Sequence, residues 1–195
     1  SIGRRPVTKK GGLEKIGVAL DDKGFIIVDD SFRTNIPSVY AIGDCIGGMQ
    51  LAHKASEEGS AVAEILAGGH PHIDYIAIPS VVYTSPEVAT VGLTVKMAKE
   101  YNVPVYEEKF LLKNNPRARC VGETEGFIKM VVEESSRRIV GVHIVGENAS
   151  EMIHCGVMAL HMELTVDDMA TVCFAHPTLS EAFKEVAMRG AHGVS

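Results

Sequence analysis

The sequence predicts an α+β fold with a mostly antiparallel sheet flanked by helices, and two observations support this class. Several short segments rich in β-branched and aromatic residues follow one another between residues 81 and 145. From residue 148 onward, apolar residues recur at helical spacing instead. Grouped strands followed by grouped helices are typical of α+β domains rather than of alternating α/β domains.

The composition indicates a folded chain and excludes several functional classes. The chain has 195 residues, of which 46% are apolar and 23% charged, and its net charge is −6. That length allows one full domain, or one domain with part of a second. Because Lys and Arg do not cluster, we expect no binding to nucleic acid. No run of about 20 apolar residues is present, so we expect no membrane-spanning helix.

The four cysteines, at positions 45, 120, 155 and 173, are too far apart in sequence for a CxxC pair or for the usual zinc-ligand spacing. The sequence has neither a secretory signal nor a transit-peptide pattern. We therefore expect four free thiols in a reducing compartment, no metal site and no secretion.

Up to about residue 74, the pattern predicts two short strands and one long helix. The apolar segments 24–28 and 39–42 predict strands, and the turn 34–38 lies between them. A helix is predicted from Ala52 to Leu66, ended by two glycines. Its inward face is expected to carry Ala55, Gly59, Val62, Ala63 and Leu66. A domain boundary is expected near residues 74–78, after a His-Pro-His linker.

Beyond that boundary, five strands and three helices are predicted. The strand segments are 81–83, 89–91, 105–110, 127–132 and 139–145, and the last two form a hairpin. A long helix is predicted from residue 148 to about 164, with Asn148 or Ser150 as its cap. Two further helices are expected to open at Thr165 and Thr178.

The first candidate site lies where a short apolar segment ends in Gly43 and Asp44. A carboxylate at the carboxyl edge of an α/β sheet can accept hydrogen bonds from ribose or ribitol hydroxyl groups. The helix that starts near Ala52 would direct its N–H groups at the same ligand. The alternative is a structural strand–turn–helix in which Asp44 serves only as a cap.

His176 and Glu181 form the second candidate site. The carboxylate follows the histidine by five residues near a helix start, so it can accept a hydrogen bond from one imidazole nitrogen and fix the tautomer. The other nitrogen would then be available for acid–base catalysis. The alternative is an ordinary capping box, because Glu181 also follows Thr178 by three residues.

A complete nucleotide-binding motif is absent. The patterns GxGxxG, GxxxxGK[ST] and HExxH do not occur in the 195 residues, so the cofactor signals present are second halves of sites. The first residue is Ser rather than Met. We expect that an amino-terminal region has been lost.

Three segments resemble the FAD-dependent pyridine nucleotide–disulfide oxidoreductases, and within this family the class I lipoamide dehydrogenases. Residues 3–6 are similar to the exit from the NAD-binding domain, residues 34–44 to the second FAD motif, and residues 176–181 to the family's His–Glu motif. Residues 51–55 favour the lipoamide dehydrogenases over glutathione-type reductases. The resemblance extends in register over essentially the whole chain.

The resemblance implies a carboxyl-terminal fragment with three parts. Residues 1–6 would end the NAD-binding domain, and residues 7–74 would form a central segment that belongs partly to the FAD-binding domain. Residues 75–195 would form the interface, or dimerisation, domain that carries the antiparallel sheet. The first FAD-binding unit, a CxxxxC redox disulfide and the NAD-binding unit would precede residue 1.

The resemblance also implies a reaction and a role for each site residue. Such enzymes oxidise dihydrolipoamide to lipoamide and pass the electrons through the disulfide and FAD to NAD. His176, oriented by Glu181 and followed by a cis proline, would be the base and would reach the partner's active site. Asp44 would bind the FAD ribitol. The other implied cofactor contacts are Gln50, Leu51, Ala52 and His53 near the flavin, and Gly3 at the NAD site.

The implied partners are a second copy of the chain and a lipoyl group. The interface domain would form a homodimer, in which Gly156 and Ala159 would let helices approach closely. Dihydrolipoamide would be carried on lipoyl domains of 2-oxoacid dehydrogenase complexes or of the glycine cleavage system. The protein would lie in the mitochondrial matrix of a eukaryote or in the cytoplasm of a bacterium.

Two alternatives stay open at this point. The chain could belong to another disulfide reductase of the family, with a glutathione-like or mercuric substrate, because the deciding segment would precede residue 1. It could also be a dimerisation module without catalysis of its own.

We expect the 195-residue chain alone to be inactive with dihydrolipoamide and NAD, because it contains neither the redox disulfide motif nor GxGxxG. The measurement is NADH formation by the purified chain, with a full-length lipoamide dehydrogenase as the positive control. NADH formation that increases in proportion to the amount of chain would contradict this expectation.

Overall fold

The computed structural model describes residues 2–9 and 11–192, and the chain divides between Ile73 and Asp74 into two compact units. The expected parts 1–6 and 75–195 include residues 1 and 193–195, which lie outside the described residues. Within the described residues, no helix is both long enough and apolar enough to cross a bilayer.

The amino-terminal unit contains one long helix and little other regular structure. Helix α1 (Leu13–Ile16) is a single turn, and α2 (Ala52–Leu66) has the predicted bounds. A 3-10 turn covers Gly43–Ile46. The small core of this unit is built around Val18, Ile26 and Ala41.

The two strands expected at residues 24–28 and 39–42 do not form, so this part of the prediction is wrong. Each segment makes a single backbone bridge instead: Ile26 with Leu20, and Tyr40 with Arg33. Asp21 and Asp29 account for the first segment, because each carboxylate accepts two backbone N–H groups that follow it and so turns the chain. Turns therefore occupy both sides of residues 24–28 and leave no room for a ladder.

The buried face of α2 also differs from the expected one. Leu66 is 65% exposed, and the residues of α2 that are buried are Lys54, Glu58 and Ala61. Periodicity analysis assigns charged residues to the solvent face. Here a paired lysine and glutamate take the inward positions.

The carboxyl-terminal unit is the predicted α+β domain, built on a five-stranded sheet. The strands are β1 (Ser80–Val82), β2 (Glu87–Gly92), β3 (Val105–Leu111), β4 (Phe127–Glu133) and β5 (Ile139–Gly146). Their order is β1-β2-β5-β4-β3, and all neighbours are antiparallel. The β4–β5 hairpin is confirmed, and β5 is the central strand.

Helices flank this sheet, and most of them contribute to one core. They are α3 (Val95–Glu100), α4 (Pro116–Val121), α5 (Ala149–His161), α6 (Val166–Thr171) and α7 (Glu181–His192). The largest fully buried side chains of this core include Phe183, Leu112, Ile128, Met130, Ile144 and Ile153. Helices α3 and α4 are absent from the sequence prediction, because six residues are too few to show a helical period.

The cap of α5 comes from a distant strand and not from the two expected residues. Asn148 occupies the capping position with a left-handed φ of 58°, and its side chain makes no capping bond. The N–H of Ser150 donates instead to Oε2 of Glu87 in β2, at 2.9 Å.

The small residues of α5 pack on the sheet of their own domain. A Cβ at Gly156 would lie 2.9 Å from Cβ of Val142, and Ala159 is fully buried. The expectation that these two residues admit a partner helix is therefore wrong. Met158 and Met162, at the outer face, are 58% and 67% exposed.

Candidate active site

The residues of the expected His–Glu pair are brought together at the start of α7. Nδ1 of His176 lies 2.8 Å from Oε1 of Glu181, and the His176–Pro177 bond is cis. The side chain of His176 is 67% exposed, whereas that of Glu181 is 21% exposed. Because the carboxylate engages Nδ1, Nε2 is the ring nitrogen that can exchange a proton with a ligand.

The second oxygen of Glu181 holds the loop that precedes α7. The backbone N–H of Thr178 donates to Oε2 at 2.8 Å. This bond, and next the bond to His176, hold the pKa of Glu181 below its usual value, so the group is a carboxylate at neutral pH. The Thr178 hydroxyl donates to the carbonyl of Ala175 at 2.7 Å. Glu181 therefore makes its contact of a capping box, whereas the Thr178 hydroxyl is engaged with Ala175 and does not make the reciprocal contact. A complete capping box occurs at α6.

A buried asparagine in the connection between β3 and β4 binds this loop. Asn115 is fully buried; its Nδ2 donates to the carbonyl of Thr178 at 3.0 Å, and its Oδ1 accepts the N–H of Ala118 at 3.0 Å. The sequence analysis missed this residue. The available signal was an Asn-Pro step, which is typical of the start of a helix such as α4.

Asp44 lies in the 3-10 turn at the surface of the amino-terminal unit. Its Oδ2 is 3.7 Å from Nη1 of Arg4, which also donates to the carbonyl of Gln50 at 3.1 Å. These three residues and Cys45 line part of a recess of about 420 Å³. Two of the expected cofactor residues, Asp44 and Gln50, thus share one surface.

The other expected cofactor residues lie outside the lining of that recess. Leu51 occupies the capping position of α2 and offers no side-chain bond, and Ala52 and His53 are exposed in the first turn. The capping residue of α2 therefore provides no side-chain bond to the positive end of the helix. Gly3 is exposed with φ 129°, and no heavy atom lies within 4 Å of the position of an added Cβ. The cofactor roles of all six expected residues, Asp44 and Gln50 included, stay predictions.

A buried ion pair, which the sequence analysis missed, holds the loop that carries Asp44. Nζ of Lys54 lies 2.8 Å from Oε1 of Glu58, and their side chains are only 3% and 1% exposed. Oε2 of Glu58 accepts the N–H of Gly43 at 2.7 Å, and Lys54 donates to the carbonyl of Gly47 at 3.1 Å. The two partners fasten both ends of the loop to α2. A Lys–Glu pair four residues apart is usual on exposed helices, so its spacing does not reveal burial.

The close approach of this loop to α2 requires glycine at position 43. Gly43 has a φ of 75°, which side chains rarely adopt, and an added Cβ would lie 3.0 Å from Cβ of Ala55. The Gly-Asp step of the sequence therefore combines a contact that only glycine permits with an exposed carboxylate.

Comparison with known proteins identifies the family. The family described as "pyridine nucleotide-disulphide oxidoreductase, dimerisation domain" matches residues 78–187, and "pyridine nucleotide-disulphide oxidoreductase" matches residues 1–59. The chain belongs to the pyridine nucleotide–disulphide oxidoreductase family.

Individual relatives agree with this family. The chain is 48% identical over 188 residues to dihydrolipoyl dehydrogenase 1, mitochondrial, of Arabidopsis thaliana, covering 96% of the chain and 37% of that relative. It is 46% identical over 194 residues to the human dihydrolipoyl dehydrogenase, mitochondrial, covering 100% of the chain and 38% of the relative. The chain thus spans less than two fifths of the length of these relatives.

Solved structures share the architecture. LpdA from Mycobacterium tuberculosis superimposes with a TM-score of 0.89 at 30% identity, over 97% of this chain and 41% of that one. The flavoprotein disulfide reductase RclA from Escherichia coli, described as induced by HOCl, gives 0.90 at 26% identity, over 96% and 44%.

Replacing Lys54 by Met is expected to destabilise the amino-terminal unit by about 3–5 kcal/mol, because the change leaves the buried Glu58 carboxylate without its ionic partner. The measurement is amide hydrogen exchange of α2 in the native state, which gives the opening free energy of this unit separately.

The matched control is Lys96→Met. Lys96 pairs with Glu100 at the same spacing, but at 4.0 Å and with side chains 87% and 61% exposed. Its loss should cost about 0–1 kcal/mol in α3, because solvent screens exposed pairs. Equal costs for the two substitutions would show that the Lys54–Glu58 pair contributes no more than a surface pair.

Proposed function

We propose that this chain is the carboxyl-terminal part of a dihydrolipoyl dehydrogenase, in which His176 is the base for thiol oxidation. The observation that carries the proposal is the bond between His176 Nδ1 and Glu181 Oε1, with the imidazole exposed. The identity to dihydrolipoyl dehydrogenases over nearly the whole chain supports the choice of substrate. Residues 7–74 would complete the FAD-binding domain, after the last six residues of the NAD-binding domain, and residues 75–195 would form the interface domain.

The role of His176 follows from the chemistry of thiols. A thiol of ordinary pKa is mostly protonated at neutral pH and is then a poor nucleophile. Nε2 of His176 would take the proton of a dihydrolipoamide thiol as its sulfur attacks a disulfide. The imidazolium formed would keep its Nδ1–H on the Glu181 carboxylate, which offsets the new charge. Overall, dihydrolipoamide and NAD⁺ would give lipoamide, NADH and one proton.

The residues of the amino-terminal unit fit part of an FAD site. Asp44 presents an exposed carboxylate at the recess, and carboxylate oxygens accept hydrogen bonds from ribitol hydroxyl groups. The positive end of α2, at Leu51, Ala52 and His53, could stabilise negative charge nearby. FAD would supply the electron transfer between the disulfide and NAD. Gly3 could line an NAD site only through its backbone.

The relatives bear on the alternatives and on localisation. A different disulfide reductase stays the second candidate, favoured by the likeness to RclA, but the higher identity to dihydrolipoyl dehydrogenases favours dihydrolipoamide carried on lipoyl domains. The names of the plant and human relatives place those proteins in mitochondria. We accordingly propose the mitochondrial matrix if the source is eukaryotic, and the cytoplasm if it is bacterial.

A homodimer is part of the proposal, because an exposed base has to meet a disulfide carried elsewhere. The family model that matches residues 78–187 is described as a dimerisation domain. Since Gly156 and Ala159 pack inward, the exposed Met158 of α5 and Met162, which follows the helix directly, are apolar groups that would contact a second copy. A homodimer interface of this kind would bury about 2,000 Å² or more.

The purified chain is expected to form dimers in light scattering, and the double substitution Met158→Glu and Met162→Glu is expected to yield monomers, because charges would be buried without partners. Tyr101→Glu is the control, since Tyr101 is 62% exposed beyond α3. A strictly monomeric mass of the unaltered chain at high concentration would contradict the dimer, and a loss of dimer with Tyr101→Glu would contradict the role of α5.

His176→Gln, in the full-length enzyme that carries this segment, is expected to lower dihydrolipoamide turnover by roughly 10²–10⁴-fold, the usual contribution of a general base. Glu181→Gln should cost less, because the base is retained and loses only its orienting carboxylate. Steady-state NADH formation gives both values, with glutathione disulfide and mercuric ion tested as alternative substrates in the reverse direction.

Oxidation of NADH by an artificial acceptor at the flavin is the internal control, since it needs no thiol base and should be spared. FAD content and the dimer should also be retained. If His176→Gln leaves thiol oxidation intact, or removes FAD and dimer together, His176 is structural and the proposed role is wrong.

A further inference from the structure

We propose that Asn115 is a positioning residue for the His176–Glu181 pair, and that it acts by fixing Thr178 from the sheet side of the domain. The inference rests on the proposed function, because it assigns a means of orientation to the same base. Asn115 would touch neither substrate nor cofactor.

Asn115 is itself immobilised by hydrogen bonds to all of its polar groups. It lies in the connection between the paired strands β3 and β4, where Leu112 is bonded across to the carbonyl of Gly126 at 3.1 Å. The N–H of Asn115 donates to the carbonyl of Leu112 at 2.8 Å, and its own carbonyl accepts the N–H of Arg119 at 3.2 Å. Its side-chain oxygen caps α4 through Ala118, which leaves Nδ2 pointing to Thr178. Because Asn115 is fully buried, bulk solvent does not compete for these bonds.

Thr178 connects the immobilised Asn115 to the His176–Glu181 pair. Its N–H is bonded to Oε2 of Glu181, its hydroxyl to the carbonyl of Ala175, and its carbonyl to Nδ2 of Asn115. The first two bonds lie within the segment 175–181, whereas the third comes from 63 residues earlier in the chain. Without the third, the loop that carries His176 could shift relative to α7, which stays packed in the core through Ala182 and Phe183. The position of Nε2 relative to the rest of the protein would then be less defined.

Position 115 requires a side chain that accepts a hydrogen bond from the N–H of Ala118 and donates one to the carbonyl of Thr178. Asp has the same shape as Asn and keeps the capping oxygen, but it offers an oxygen where Thr178 requires a donor. Ser also caps helices, yet its hydroxyl is too short to reach Thr178 while capping. Both substitutions therefore remove the bond to Thr178 and retain an acceptor for Ala118. Ser introduces no buried charge, so it stays informative if the Asp variant does not fold.

The test uses Asn115→Ser and Asn115→Asp in the full-length enzyme that carries this segment. We expect kcat for dihydrolipoamide oxidation to fall about tenfold, a fraction of the effect of losing a general base, with little change in KM. Oxidation of NADH by ferricyanide at the flavin, FAD content and dimer mass should stay unchanged, because none of them needs an oriented imidazole. Loss that is restricted to the thiol half-reaction is the result a merely structural role would not give.

Thr94→Ala is the control for the loss of one side-chain-to-backbone hydrogen bond elsewhere in this unit. Thr94 caps α3 by accepting the N–H of Met97 at 3.1 Å, in the same unit as Asn115. It should leave both half-reactions unchanged. If the Asn115 variants lower both half-reactions together, or neither, while His176→Gln still lowers thiol oxidation, Asn115 has no positioning role. If His176→Gln itself has no effect, the proposed function fails first, and the inference fails with it.

Discussion

Each unit of this chain depends on a glutamate whose two carboxylate oxygens bind different partners. In the amino-terminal unit, Glu58 accepts from Lys54 with one oxygen and from the backbone N–H of Gly43 with the other. In the carboxyl-terminal unit, Glu181 is bonded in the same way to His176 and to the N–H of Thr178. A carboxylate has lone pairs for both bonds, and charge-assisted hydrogen bonds are stronger than neutral ones. One helix residue thereby fixes both a basic side chain and a loop.

The two glutamates serve different ends because their burial differs. Glu58 and Lys54 are buried, so their pair organises a loop and is closed to a ligand. His176 stays exposed on its anchored partner, so its outer nitrogen can meet one. Exposure also explains why the ion pair with Arg4 does not fix the position of Asp44. That ion pair is long and over half exposed, and such pairs contribute little. The placement of Asp44 therefore depends on the buried pair beneath it.

The sequence predicted the sheet well because its strands are short segments rich in β-branched and aromatic residues. Strands β3 to β5 lie within one residue of their predicted ends, and α2 has the predicted ends. The helix of predicted residues 148–164 ends earlier, at His161. Failures occurred where side chains override the pattern. Asp21 and Asp29 turn an apolar segment that would otherwise pair, and short helices such as α4 show too little periodicity.

In the candidate site, a contact between residues close in sequence could be predicted, whereas a contact between distant residues could not. His176 and Glu181 are five residues apart, so a local motif reveals their contact. Asn115 and Thr178 are 63 residues apart, so no local sequence pattern indicates their contact. Burial of Lys54 and Glu58 is equally hidden, because the i,i+4 spacing is the same for exposed and buried pairs.

The cap of α5 has a consequence for how the length of this chain can vary. The backbone of Glu87 is paired with Gly146 at the end of β5, and its side chain binds the N–H of Ser150. Through its backbone and its side chain, Glu87 thus connects the end of β5 to the first turn of α5. Inserting or deleting a residue at 147 or 148 would rotate α5 by about 100° relative to that carboxylate. It would also turn Gly156 away from Val142. Length changes among natural variants should therefore avoid this junction and collect in connections without such a bond.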